Sequence, residues 1–411
     1  MRITNNGNLV YCRWSDKFDN SVNIKDVDPK TFFQEHMSGI RRSLLQGQAP
    51  AGCNRCYHMD QYGKVSGRQR QLLKTGIRLE QFEKTVLSSP WHQHWLSTYD
   101  TGHTDQLPQD WQIDLGNFCN SACVFCSPND SSRLANEWRK IGFIDQMPAA
   151  NWTDSPELVS KFIDILKSSQ HIQYLHFIGG ETVITPAFRQ ILTALVDTGI
   201  SKTATVGFTT NLTVWDQDIV DLLDQFSTVN LGMSVEAFDP VNDYARWPSK
   251  IQQVIGIRDR WVAHGKARGW FMQLRTTPTL LTIGKLLSIY KYAWDNEISV
   301  ESCNFLQRPE CLRPSVLPAA YKNQYVEEMQ SWLGQYNIND KLIVNSRDPN
   351  VVHQYLLQDL QSYVNYLRDE PDESYRLNDT VQYLKALEAS RGNCVLNYLP
   401  EYEKLFRSAG Y

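Results

Sequence analysis

The chain has 411 residues, enough for two or three units with cores of their own. Charged residues make up 21% and the formal net charge is −4, so no strong field draws the protein to nucleic acid or to an anionic membrane surface. No apolar run is long enough to span a bilayer or to act as a signal segment, and nine cysteines, an odd count, argue for metal ligands or buried thiols in a reducing cytoplasm over a disulfide framework.

Residues 1–104 read as a first unit. Asn5-Asn6-Gly7-Asn8 is a hairpin-type turn signal, and Leu9-Val10-Tyr11-Cys12 follows it as a short strand. Asp28-Pro29 opens an amphipathic helix in which Phe32, Phe33, His36, Met37, Ile40, Leu44 and Leu45 recur at helical spacing. Gly47 and Pro50 are its stop signals. Cys53-Asn54-Arg55-Cys56 is then a C-x2-C pair on a loop. With Cys12 it forms a possible second metal site, whose simpler readings are a zinc knuckle or ordinary thiols. Helices are expected over 67–73 and 79–96, and His92, His94 and Trp95 are expected to dock this linker on the following unit.

Residues 105–307 alternate strand-like runs (112–115, 171–178, 203–209, 229–235, 270–276, 298–305) with helix-like runs (155–168, 186–197, 215–226, 249–264, 283–296). Such alternation implies a parallel sheet with right-handed crossovers. All the loops at the strand C-termini then share one side, where α/β active sites lie. Cys119, Cys123 and Cys126, in C-x3-C-x2-C spacing, follow the first of these strands. Three thiolates on one loop can hold three irons of a [4Fe–4S] cube and leave the fourth open to a cofactor; a closed zinc site would want four ligands. Phe125 is an aromatic placed to flank whatever binds there. Gly179-Gly180-Glu181 ends the second strand, Asn211 follows the third, and Ser234 and Glu236 share a face at the end of the fourth. Residues 308–411 read as helical, over 319–335, 350–368 and 377–389.

The cysteine spacing, together with the Gly-Gly-Glu turn on the next strand, resembles the radical SAM superfamily. That resemblance implies a partial (β/α)6 TIM-like barrel with an open-iron [4Fe–4S] cluster held by Cys119, Cys123 and Cys126. It further implies S-adenosylmethionine beside Phe125, Gly179, Gly180, Glu181, Asn211, Ser234, Glu236 and Arg246. Glu181 would meet the methionine ammonium, Ser234 and Glu236 the ribose hydroxyls, and Arg246 the carboxylate as a bidentate partner. Thr182 stands where the family often has proline. The run from Ile40 to Arg68 is similar to the "twitch" auxiliary-cluster module, placed here before the barrel. The resemblance thus implies a second Fe–S cluster on Cys12, Cys53 and Cys56, facing the barrel mouth. The group's usual cysteine ahead of the position matching Cys12 has no counterpart here. The fourth ligand is left among Cys303, Cys311, Cys394, His58, Asp60 and a substrate atom.

The activity so implied is one-electron reductive cleavage of S-adenosylmethionine. The resulting 5′-deoxyadenosyl radical takes a hydrogen atom from the substrate, a peptide or protein side chain, with flavodoxin or ferredoxin as reductant. The alternatives are a small molecule (sugar, nucleotide or amino acid) as substrate, or a non-catalytic Fe–S or zinc scaffold. The cofactor carries the difficult chemistry, and substrate identity resides in loops and tail.

Overall fold

Strand propensity and period-two burial build a single eight-stranded sheet, seen in a computed structural model that describes residues 1–12, 15, 22–50, 52–54, 56–57, 66–69, 96–169, 171–301, 306–339 and 348–411. The strands are β1 (Arg2–Ile3), β2 (Leu9–Val10), β3 (Asp110–Asp114), β4 (Tyr174–Ile178), β5 (Thr205–Thr210), β6 (Thr228–Ser234), β7 (Phe271–Arg275) and β8 (Ser299–Glu301). Their order is β2-β1-β3-β4-β5-β6-β7-β8, and every pairing is parallel except β1 with β2. The last six are the six strands expected from the sequence. Residues 302–305, the expected end of the last one, lie outside the described residues, as do His58, Asp60, His92, His94, Trp95, most of the 67–73 helix and all but the end of the 79–96 helix.

The helices are α1 (Ser38–Leu45), α2 (Ser132–Lys140), α3 (Pro156–Ser168), α4 (Pro186–Asp197), α5 (Gln217–Leu223), α6 (Val241–Ala245), α7 (Ile251–Arg268), α8 (Leu286–Asn296), α9 (Ala319–Leu333), α10 (Pro349–Asp369), α11 (Leu377–Arg391) and α12 (Glu403–Ser408). The sequence did not mark α2, a short helix whose apolar side is only Leu134, Ala135 and Trp138. Its local signal is Ser131, whose side chain caps it by accepting from Leu134 N.

The two sheet faces differ in chemistry because side chains alternate along each strand. Trp111, Ile113, Leu175, Phe177, Val206, Phe208, Val229, Leu231, Met233, Leu274 and Val300 are buried on one face. There an aromatic chain runs Phe177–Phe188–Phe208–Trp261 with ring centroids 5.1 to 5.7 Å apart. The alternate positions are Gln112, Asp114, His176, Thr209, Asn230, Gln273, Arg275 and Glu301. A parallel sheet closed on both sides is ordinarily apolar on both; here one face is polar. On it Arg275 donates from Nη1 to Thr209 Oγ1 at 2.8 Å and pairs with Glu301 at 3.2 Å. Its side chain passes where Gly232 lacks a Cβ.

Two features depart from expectation at the N-terminus. First, the opening ten residues of the expected N-terminal unit belong to the sheet. Met1 N and O bond Asp110 O and Gln112 N, and Arg2 pairs with Asp114. The Asp114 carboxyl is nearly inaccessible. Burial pushes it up, and Arg2 opposes that shift. The β1–β2 turn thus lies at the carboxyl end of the sheet, where Asn5 Nδ2 donates to Asn129 O at 2.6 Å. β2 then runs back, so Cys12 leaves at the amino end of the strands, away from the barrel mouth.

Second, the expected continuous 29–45 helix contains a π-turn over Phe32–His36, with Met37 N bonded to Phe32 O. Such a turn frees carbonyls. The Arg41 guanidinium takes those of Phe33 and Gln34, and its Nε takes Gly102 O at 2.6 Å, tying the helix to the segment entering β3. Arg41→Ala should therefore lower stability by about 1–3 kcal/mol, read as an earlier urea midpoint with an unchanged slope.

Candidate active site

The carboxyl ends of β3, β4, β5 and β6 bring the sequence-predicted residues of the cysteine loop and its partners together. Beyond β3 the chain turns at Gly116 and runs into the cysteine loop. Beyond β4 it turns through Gly179 and Gly180. The two turns are laced by Gly180 N to Gly116 O and Glu181 N to Phe118 O, each 2.8 Å. A Cβ on Gly180 would sit 2.2 Å from Phe118 O, and one on Gly179 2.8 Å from Gly116 O, with φ at +148°. The glycines are thus required by the approach of one backbone to the other, in addition to any approach of a ligand.

Glu181 is buried, and both carboxylate oxygens have donors. Val183 N (3.2 Å) and Thr210 Oγ1 (2.8 Å) reach Oε1, and Asn211 N (2.6 Å) reaches Oε2. It joins the end of β4 to the end of β5. Burial pushes its carboxyl up to about 7 against those donors. Asn211 turns its amide onto the cysteine loop, donating to Asn120 Oδ1 at 2.8 Å and Ser121 Oγ at 3.1 Å. Both residues expected to touch a ligand therefore brace the loop.

The pairing of Ser234 with Glu236 across one strand face does not form. β6 ends at Ser234, and Glu236 lies past it, fully buried. Its Oε1 accepts from Arg246 Nε and Nη2 (3.2 and 2.7 Å), and its Oε2 from Thr276 Oγ1 and Thr277 N (both 2.8 Å). Four donors thus meet its two oxygens, and the pair with Arg246 fixes that guanidinium. Arg246 keeps Nη1 for the site. That nitrogen is 3.8 Å from Cys123 Sγ, and the guanidinium lies 5.4 Å from the Phe125 ring centroid.

The cysteine loop itself is stapled from three directions. Ala122 N and Val124 N bond Trp247 O and Ala245 O, and Cys119 N donates to Ser132 Oγ at the start of α2. Tyr383 Oη and Arg391 Nη2, both on α11, donate to Val124 O and Ala122 O. Burial pushes the Cys119 thiol up to about 12 and raises those of Cys123 and Cys126 as well, with Arg246 opposing it at Cys123. Thiols so desolvated become thiolates only when a metal takes the proton's place.

Residues 113–266 match the family model described as the Radical SAM superfamily. The chain carries a radical SAM domain.

That domain ends within α7, so it contains the cysteine loop, the Gly-Gly-Glu turn and Arg246. No curated protein matches the chain. Among solved structures it is similar to Streptococcus suis SuiB bound to precursor peptide SuiA, with 14% identity over 65% of this chain and 60% of that one, at a TM-score of 0.40. SuiB bound to S-adenosylmethionine is similar at 14% identity over 56% and 45%, TM-score 0.34. Native anSMEcpe with bound AdoMet is similar at 13% identity over 56% and 63%, TM-score 0.39. The chain spans less than two thirds of the length of each of these structures.

The donor set of the radical SAM domain fits a cubane better than a single ion. The loop supplies three thiols, which leaves one iron of a cubane open, whereas a structural zinc site takes four closed ligands. A cluster spaces its thiolates because each binds a separate iron. Ser121 N, 3.4 Å from Cys119 Sγ, is placed to donate to a ligated sulfur.

Reading the sequence missed Thr210, Glu137, Tyr383 and Arg391. Only Thr210 had a nearby signal, the Thr-Thr-Asn run. Glu137 acts from α2, just after the cysteine loop, and Tyr383 and Arg391 act from α11, far along the chain.

Gly180→Ala should leave the sheet folded and lose the cluster, because the added Cβ drives the loop from the β4 turn. Far-UV circular dichroism should match wild type while iron content falls at least several-fold.

Proposed function

We propose that the chain is a radical SAM enzyme that modifies a peptide side chain. The observation that carries the reading is the double backbone link between the cysteine loop and the Gly-Gly-Glu turn, two motifs about 60 residues apart drawn to one place. Cys119, Cys123 and Cys126 would hold a [4Fe–4S] cluster. When bound, that cluster with S-adenosylmethionine supplies a 5′-deoxyadenosyl radical that takes a hydrogen atom from substrate. The chain's own groups bind and orient. The backbone carbonyls of the glycine turn suit an ammonium. Arg246 Nη1, with its other nitrogens fixed by Glu236, suits a carboxylate. Phe125 flanks the pair, and Ser234 at the end of β6 faces the ribose. Glu181 and Asn211 keep the loop in place.

A peptide is favoured over a small polar molecule by the rim beside the cysteine loop. Phe118 is half exposed, and Phe143 and Met147, on the loop that returns toward Asn117, are exposed as well. Reconstituted protein with dithionite and S-adenosylmethionine should release 5′-deoxyadenosine. No release beyond that of Cys123→Ala, at equal protein folding and with cluster present in wild type, overturns the enzyme reading.

Cys12, Cys53 and Cys56 are proposed to hold a second cluster that passes electrons and does not bind substrate. Tyr11 supports their proximity: burial first, and then the Cys53 and Cys12 thiols beside it, push its hydroxyl up. Their position supports the role. Cys12 follows a strand that descends to the level of Asp110, roughly 20 Å of strand rise from Gly116. Cys311 and Cys394 lie elsewhere, around α11: Thr380 Oγ1 donates to Cys311 O, and Cys394 Sγ meets Tyr411 Oη at 3.2 Å. Cys303, His58 and Asp60 are outside the described residues. In the variant with Cys119, Cys123 and Cys126 all replaced by Ala, about four irons per chain should remain. Finding one zinc and no iron there overturns the second cluster.

A further inference from the structure

The C-terminal helix α11 reaches the cysteine loop on both sides of Cys123. Tyr383 Oη donates to Val124 O at 2.7 Å, and Arg391 Nη2 to Ala122 O at 2.9 Å. The Arg391 side chain is 1% exposed. Its Nε and Nη2 are held by Glu137 at 2.9 and 2.6 Å, a bidentate pair between α11 and α2 that is itself buried. Its remaining nitrogen, Nη1, is buried with no hydrogen-bond partner among the described residues. The guanidinium is 5.1 Å from the Trp247 ring centroid.

A buried charged donor left without an acceptor is costly, and this one is held by two anchors and cannot swing to water. Cluster sulfurs are hydrogen-bond acceptors, and such bonds help set a cluster's potential. We propose that Arg391 is a positioning residue for the iron–sulfur cluster: it fixes the loop at Ala122 and gives its Nη1 N–H to a sulfur held at Cys123. The C-terminal segment thereby raises the potential at which that cluster accepts an electron. Glu137 balances the charge, so the effect is chiefly that of the directed N–H. The inference rests on the radical SAM reading above. A wild-type chain without a cluster sinks that reading, whereas a cluster indifferent to Arg391 sinks only this one.

The test is redox titration of the anaerobically reconstituted full-length chain, followed by electron paramagnetic resonance of the signal that S-adenosylmethionine alters. The charge-balanced double variant Arg391→Gln with Glu137→Gln should load wild-type iron and show a midpoint shifted to more negative potential, with altered g-values. Tyr383→Phe loses the neighbouring loop contact but keeps the guanidinium, and should retain the wild-type midpoint. A double variant with full iron and a wild-type midpoint overturns the proposal, as expected if Nη1 rests only on the Trp247 ring. An equal shift in Tyr383→Phe overturns it too, since loop loosening would then suffice. If the double variant does not load iron, the intact Arg391–Glu137 pair is measured in Arg246→Lys protein labelled with 15N-arginine. Weak nitrogen coupling to the reduced cluster supports Arg391 as donor, and its absence overturns the proposal.

Discussion

Two backbone hydrogen bonds, Gly180 N to Gly116 O and Glu181 N to Phe118 O, decide where the rest of the site can be. They continue the β3–β4 ladder past the last paired residues, Asp114 and Ile178, into what would otherwise be two independent loops. A ladder fixes register as well as distance. The first cysteine of the loop therefore starts from a fixed height above the sheet. No side chain can stand between the strands at that point, which is why both turn residues are glycine. Loops at the ends of parallel strands commonly carry function because a rigid scaffold presents them. Here the scaffold reaches into the loop itself.

Charge is handled by the same economy of placement. Three carboxylates, Glu181, Glu236 and Glu137, are buried within reach of the loop. Each has donors on both oxygens: backbone and hydroxyl groups for Glu181, Arg246 with Thr276 and Thr277 for Glu236, and Arg391 for Glu137. Isolated, any of them would be strongly destabilising; paired, Glu236 and Glu137 each hold an arginine in one orientation. Arg246 and Arg391 approach Cys123 from different elements, α6's end and α11's end, and each keeps a single nitrogen uncommitted to its glutamate or to the backbone. Fixed cations beside a sulfur ligand suit a group that arrives with thiolate charge. The buried ion pairs are thus better understood as orientation than as a source of stability.

Strands β3 to β8 were legible because their burial is periodic. All six recur within a few residues of where the alternation of apolar and polar positions put them. The helices that cover them were legible for the same reason, Pro186–Asp197 to the residue. What the sequence could not reveal is long-range. Nothing in Arg2 or Ile3 announces a strand two residues long, because such a strand exists only through its neighbour β3. The π-turn at Phe32–His36 keeps the helical spacing of its apolar residues nearly intact, so period alone reads straight through it. The protein partners of Glu181, Asn211 and Glu236 were hidden in a common way. Their chemistry suits a ligand, but local spacing does not show that protein donors already fill them.

The polarity of the sheet gives the last constraint. With one face apolar and helix-covered, the polar face and the carboxyl ends of the strands form one continuous surface, and the cysteine loop stands at its upper edge. Gly207 and Gly232 lie on that face where Tyr174, His176 and Arg275 would meet a Cβ at 2.5 to 2.7 Å, so its polar side chains are packed against one another across strands. Water and a polar substrate backbone are both compatible with such a surface, whereas an apolar side chain is better matched by the Phe118, Phe143 and Met147 rim. A peptide presents both characters at once, main chain and side chain in alternation. β2, running against the other strands, carries Cys12 to the far end of the same sheet. The sheet therefore stands between Cys12, at the amino end of its strands, and the cysteine loop at their carboxyl end.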